Sequence, residues 1–309
     1  MENPGESKRR AIGDRYTSVS THCQTLDQSE MQKGLPVYQA RRVVSSQRRG
    51  SSRPVVVETA AGYFFTKLRG AAQGTAALVA EIVVAALAEA LDLWVPAQAL
   101  IVIDAATPSD DQEDELLDLL SASSGLNLGF QYLPGARDLR PNEIEAVDEA
   151  LACQVLWLDS LVMNVDRRRH NPNLMWYQGQ LWLIDHGAAL PFQYNWTAVR
   201  EHSPRQEQYA MAQHLFWPRA QTLDQWDESL AAKLSAPVLQ AAIAKIPDCF
   251  LAPLLASPQP ASADQLERRR QAYAAFLWKR LKSPRPFMNT WLAHHSQAHE
   301  SAQGDRQEL

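Results

Sequence analysis

Residues 164–187 read NVDRRRHNPNLMWYQGQLWLIDHG, and both the fold and the chemistry follow from how this stretch is parsed. Two short apolar runs, LMWY (174–177) and LWLID (181–185), flank Gln178-Gly179-Gln180. Apolar runs of that length around a Gly-containing turn predict a β-hairpin. A hairpin returns the end of its second strand to the start of its first. Asp185, which precedes His186-Gly187, is thereby set beside the polar loop that carries Asp166 and, five residues on, Asn171.

Upstream, NEIEAVDEALACQVLWLDSLVMN (142–164) has helical periodicity and turns apolar late. Downstream, from about Glu207 to Leu281, several helix-like stretches are broken at Pro218, Pro237, Pro247 and the Pro-rich 253–260. The first half of the chain reads differently. VYQARRVV (37–44) reads as a strand, SSQRRGSSRP (45–54) as a loop, PVVVET (54–59) as a second strand and YFFTKL (63–68) as a third after a tight turn. Together they predict an antiparallel meander. TAALVAEIVVAALAEALDL (75–93) is a helix by its Ala, Leu and Glu content, and VPAQALIVI (95–103) is a fourth strand. The acidic segment 104–125 reads as a solvated insertion with a short helix at DELLDLL (114–120), and LNLGFQYLPGA (126–136) starts strand-like and stops at Pro-Gly.

A β-rich first half with one long helix, a short connector and a helical second half predict an α+β, two-lobed fold of the protein-kinase type. The expected boundaries are a disordered arm over 1–34, a small lobe over 35–132, a helical lobe over 133–287 and a flexible tail over 288–309. Composition narrows the function classes. The chain has 309 residues, 46% of them hydrophobic, and a formal net charge of −5, which argues against bulk nucleic-acid binding. Cys23, Cys153 and Cys249 lie far apart, which suits neither a zinc set nor a disulfide framework and fits a reducing cytoplasm. The N-terminal residues carry no apolar signal segment, and the longest apolar stretch, 75–103, is interrupted by Glu81, Glu89 and Asp92. It reads as a helix followed by a strand, with no membrane span.

Phosphoryl transfer requires cations for the phosphates, oxygen ligands for Mg²⁺ and a group that orients the attacking hydroxyl. The order Asp166, Asn171, hairpin, Asp185-x-Gly187 supplies the last two, in the grammar that protein kinases write as catalytic-loop Asp, Asn and Asp-Phe-Gly. Taken singly, such an Asp or Asn more often caps a turn; the order across a hairpin makes the constellation specific. Lys67, late in the third strand, and Glu81, inside an apolar helical run where a lone carboxylate is costly, match the Lys–Glu pair that serves the α and β phosphates. Gly50, Ser51 and Ser52 stand where a phosphate-covering loop belongs, yet they lack a GxGxxG pattern and suit an ordinary hairpin tip equally well. Arg167, Arg168 and Arg169 suit either an acidic substrate or pairing with nearby acids. The three histidines of the polar tail, His294, His295 and His299, are not a metal set, and tryptophans such as Trp157, Trp176, Trp182 and Trp217 belong in the core.

GSSRPVVVE, GYFFTKLRG, LVAEIVVAALAEALDLWVP, NLGFQYLPGA, NVDRRRHNPNLMW and LWLIDHGAAL together resemble the HipA-like kinase domain in its short stand-alone form, well over residues 43–195 and loosely beyond. The catalytic grammar is more distantly similar to that of phosphatidylinositol kinases. The resemblance implies ATP and Mg²⁺ as cofactors. It makes Asp166 the catalytic residue that orients the acceptor hydroxyl or takes its proton, Asn171 and Asp185 the Mg²⁺ ligands, and Lys67 with Glu81 the phosphate contact. It makes Phe130, Gln131, Tyr132 and Leu133 the hinge under adenine. Many relatives write Asp-Arg-His where this chain has Asp166-Arg167-Arg168, so His170 carries no assigned role. The phospho-acceptor, a protein or a small molecule, is not implied. Two further readings stand beside an active kinase: a nucleotide-binding pseudokinase, favoured by the atypical phosphate loop, and a scaffold that binds a partner protein through the acidic insertion.

Overall fold

The computed structural model describes residues 34–46, 53–207, 210–255 and 259–294. It is a mixed α+β fold that divides into two compact units. Of the described residues, the first takes up those within 34–79, 96–132 and 244–266, the second those within 80–95, 133–243 and 267–294, and one of the passages of the chain between units falls at Tyr132-Leu133.

The first unit is built on a six-stranded sheet in the order β1-β5-β6-β4-β3-β2. Its strands are β1 (Val37–Gln39), β2 (Arg42–Ser46), β3 (Val55–Thr59), β4 (Gly62–Lys67), β5 (Gln98–Ile103) and β6 (Gly125–Gln131). Strands β2, β3 and β4 form the antiparallel meander. VYQARRVV is two strands rather than one: β1 runs parallel to β5, whereas β2 pairs with β3. The backbone changes partners at Ala40-Arg41, where the Ala40 amide still bonds Val102 and the Arg41 amide already bonds Glu58, each at 2.8 Å. Alternation is clean in β3, where Val55, Val57 and Thr59 are buried and Val56 and Glu58 are half-buried. Gly129 permits close packing of β6 against β5, because a Cβ there would lie 2.6 Å from Cγ1 of Ile101.

The acidic segment is not merely solvated. Its helix, α2 (Asp114–Ala122), follows the α1 helix (Gly74–Ala90) in the chain and packs Leu116 and Leu120 into the cluster formed by Val43, Val55, Val57 and Ile101. The acids take the solvent face, and the i, i+4 leucines take the core face.

The second unit centres on α3 (Glu149–Val162), capped by the Asp148 carboxylate, which accepts from the Leu151 amide at 3.2 Å. Its apolar residues run around the whole circumference from Ala152 to Val162, as in a helix covered on all sides. The residues before it, Pro141–Ala146, form a separate 3₁₀ turn. Met163 adopts a left-handed conformation, φ 57°, and stops the helix. β7 (Arg137–Asp138), which precedes this helix, and β8 (Leu174–Tyr177) and β9 (Gln180–Leu183), which follow it, make a three-stranded sheet. Further α-helices are α4 (Leu223–Lys233), α5 (Ala236–Ala244), α6 (Asp248–Leu251) and α7 (Ala263–Leu281), with short 3₁₀ helices between α3 and α7. Residues 286–294 are helical, with Phe287, Met288 and Trp291 buried. The indole of Trp291 donates to the Ala220 carbonyl at 3.0 Å, so the flexible tail expected from 288 is packed at least to 294. No single helix among the described residues is long and apolar enough to cross a membrane.

Candidate active site

The loop 164–173 is folded on itself by short-range polar contacts. Asn164 makes the first turn: its amide donates to the Asp159 carbonyl at 2.8 Å, and its Oδ1 accepts from the Asp166 amide at 3.2 Å. Arg168 and Asn171 then exchange backbone hydrogen bonds of 3.1 and 3.0 Å, which turns the chain back toward Asp166. As a result, Asn171 Nδ2 donates to Asp166 Oδ2 at 2.9 Å. Asn173 Nδ2 donates to the same oxygen at 3.2 Å. Asn173 is left-handed, φ 49°, a conformation that Asn tolerates better than most residues.

The hairpin joins this loop to Asp185. Gln178 (φ 50°) and Gly179 (φ 75°) both have positive φ, the requirement of the two-residue turn that matches strand twist. Leu174 pairs with Leu183, and one step further the Ile184 amide donates to the Asn173 carbonyl at 3.1 Å. Asp185 follows immediately, half-buried and left-handed at φ 54°. The sequence-predicted Asp166 and Asn171 are thus in direct contact, and the hairpin sets Asp185 next to the residue pair that continues the same ladder.

The other predicted residues are placed as follows. Lys67 ends β4 and is buried, with Nζ 5.9 Å from the Phe130 ring centroid. Phe130 and Gln131 close β6, where Phe130 pairs with Phe65 and Gln98. Tyr132 is half exposed and its amide donates to the Tyr63 carbonyl at 3.0 Å; Leu133 follows it. Glu81 lies on α1 and is fully buried. Gly50, Ser51 and Ser52 lie outside the described residues.

Sequence reading missed the support beneath the loop. Arg167 is not a surface cation; it is fully buried and its Nε meets Asp159 Oδ2 at 2.5 Å. Asp159 also accepts from Asn164 Nδ2 at 3.0 Å and from His214 Nε2 at 3.0 Å. Burial pushes the Asp159 carboxyl up, but the Arg167 guanidinium and the His214 hydrogen bond outweigh it and hold the acid below the usual carboxylate range. Burial likewise lowers His214, against the pull of Asp159 and with the help of the Arg167 charge. His214 Nδ1 accepts from the Phe216 amide at 3.1 Å, so the ring is neutral and carries its proton on Nε2. The ion pair of the network is therefore Asp159 with Arg167, and His214 is a neutral donor. A charge inside the apolar run LWLDSLV was a usable signal for Asp159, by the same logic that singles out Glu81. His214, 55 positions from its partner, has no local signal. Of the neighbouring cations, Arg169 pairs with Glu145 at 3.0 Å on the surface, and Arg168 Nε donates to the Val165 carbonyl at 2.9 Å.

Among the described residues no three His, Cys, Asp or Glu side chains group as a metal site. The loop offers oxygen atoms instead, from the carboxylate of Asp166 and the amide of Asn171, and the carboxylate of Asp185 follows the hairpin bonded to it. Asn171 gives its Nδ2 to Asp166, which leaves Oδ1 as its accepting atom. Such a set suits a hard divalent cation that takes its remaining ligands from phosphate and water.

An α+β fold, an amide-held Asp and a hairpin ending in Asp-x-Gly define a chain of the kinase class. Residues 40–268 match the family model described as HipA-like kinase, and the chain belongs to that family. No curated protein matches the chain. Among solved structures it is similar to the proinflammatory kinase CtkA of Helicobacter pylori, with 10% identity, a TM-score of 0.42, and coverage of 77% of this chain and 94% of that one.

Proposed function

We propose that the chain is an ATP-dependent kinase that transfers the γ-phosphoryl group to the hydroxyl of a protein or small-molecule acceptor. The observation that carries this reading is the double amide clamp on one oxygen of Asp166, from Asn171 and Asn173, in a loop bonded to the hairpin that ends at Asp185. Both amides take Oδ2, so Oδ1 is left to receive the acceptor hydroxyl. An orienting carboxylate needs one fixed oxygen and one available one, and the clamp supplies that division.

Asn171 and Asp185 would hold Mg²⁺, which supplies charge neutralisation of the phosphates when bound. Lys67 would serve the α and β phosphates with support from Glu81, and Phe130 to Leu133 would lie under adenine. The buried, strand-held position of Lys67 supports a fixed rather than a solvated ammonium. Gly50, Ser51 and Ser52 keep their proposed place over the phosphates on sequence grounds.

Two substitutions test the reading. Asp185→Asn should weaken Mg²⁺-dependent nucleotide binding and turnover together, because a metal ligand acts in the ground state as well as in the transition state. Asp166→Asn should leave nucleotide binding near its original value and lower turnover by roughly 10²–10⁴-fold. Calorimetry with an ATP analogue, beside an autophosphorylation or ATP-hydrolysis assay, reads both. Turnover that survives Asp166→Asn overturns the mechanism, and binding without any turnover in the original chain makes it a pseudokinase.

A further inference from the structure

The buried guanidinium of Arg167 reaches three separate stretches of chain. Nε meets Asp159 on α3, Nη1 donates to the carbonyls of Pro172 and Asn173, and Nη2 lies 3.2 Å from Nδ1 of His186. Arginine carries donors only, so Nδ1 of His186 is the accepting nitrogen and its ring proton sits on Nε2. His186 is itself 1% exposed. What matters is where the two ends of this hydrogen bond sit in the chain: Arg167 follows Asp166, and His186 follows Asp185. Asp185 stands past the last ladder pair of the hairpin, in a left-handed conformation, φ 54°, that the strand itself does not impose. The next backbone restraint is the Ala189 amide on the His186 carbonyl at 2.9 Å.

We propose that His186 is a positioning residue which, by accepting from Arg167, fixes the Asp185 segment against the Asp166 loop before a nucleotide arrives. The proposal rests on the kinase reading of Asp166 and Asp185. Protein kinases have an apolar Phe at the corresponding position of Asp-Phe-Gly; here a polar contact joins the two segments. The hydrogen bond fixes direction as well as distance, because one side of it belongs to a guanidinium already held by a carboxylate and two carbonyls.

The test is calorimetry of the β,γ-imido analogue of ATP, with and without Mg²⁺. His186→Leu keeps bulk and removes the acceptor; it should weaken Mg²⁺-dependent binding by about 10–100-fold, the usual effect of losing a group that orients a metal ligand. Binding without Mg²⁺ should change little. His186→Asn places an oxygen near the Nδ1 position and should recover most of the affinity. If near-ultraviolet circular dichroism shows that the leucine variant is unfolded, His186→Gln replaces it; its acceptor lies one bond further out, and the same loss is expected. The proposal is overturned if the leucine variant binds like the original, loses affinity equally with and without Mg²⁺, or is matched by the asparagine variant. An original chain with no Mg²⁺-dependent nucleotide binding overturns the kinase reading and this proposal together, whereas normal binding with an indifferent leucine variant overturns the positioning role alone.

Discussion

Asn173 shows how much a single residue does here. It turns the backbone at φ 49°, donates its amide to Asp166 and accepts from the Ile184 amide. Asn173→Gly separates these duties, because Gly accepts the left-handed backbone and supplies no amide. Loss of a hydrogen bond to a charged group should lower turnover by about 10–100-fold, with nucleotide affinity preserved; a steady-state assay beside calorimetry distinguishes this from a folding defect. Asp159 and His214 set the response to acid. Both are held below their ordinary values in the folded chain. The unfolded chain therefore takes up protons first, at about pH 6.5 for His and about pH 4 for Asp, and stability falls as pH drops through that window. Denaturant unfolding followed from pH 8 to 5 should show a declining stability, and His214→Gln should flatten the decline above about pH 5.

At the scale of elements, the hairpin is the part that joins Asp185 to the loop of the proposed site, and its turn is the place to test it. Gly179 has φ 75° with no atom within 4 Å of a Cβ built there, so a substitution meets backbone strain without a clash. Gly179→Val should cost about 1–2 kcal/mol in chemical denaturation. Gln178→Asn should stabilise slightly, since Asn suits positive φ in this turn. The hairpin was legible because its signals are local: two short apolar runs, a Gly between them, and a polar loop in front. The division of VYQARRVV into β1 and β2 was not legible, because the run is uniformly strand-like and only the identity of its partners, β5 for one half and β3 for the other, breaks it. The packed helix at 286–294 escaped for a related reason. Its Phe287 and Trp291 are spaced for a helix face, but a short run next to a polar tail gives no sign of what it packs against, here Trp157 and the Ala220 carbonyl.

For the whole molecule, the acidic segment 104–125 belongs to the first unit's core rather than decorating it. Leu116 is 2% exposed and sits with Val43, Val55 and Val57. Leu116→Ala should therefore cost about 2–5 kcal/mol of stability, as a core truncation does, and a thermal or denaturant melt checks it. A partner-binding role confined to a free acidic loop predicts almost no loss. The sequence by itself determined the α+β plan and the order Asp166, Asn171, hairpin, Asp185, since turn chemistry, periodicity and spacing act over a few residues; the family was carried by the resemblance of whole segments and by the family model that matches residues 40–268. Only the tertiary structure decided that Arg167 is buried while Arg168 is half-buried and Arg169 is exposed, and that Asp159, Arg167 and His214 form one network beneath the loop. The reason is that desolvation is set by atoms brought from distant parts of the chain, so three consecutive arginines look alike in sequence and differ entirely in what surrounds them.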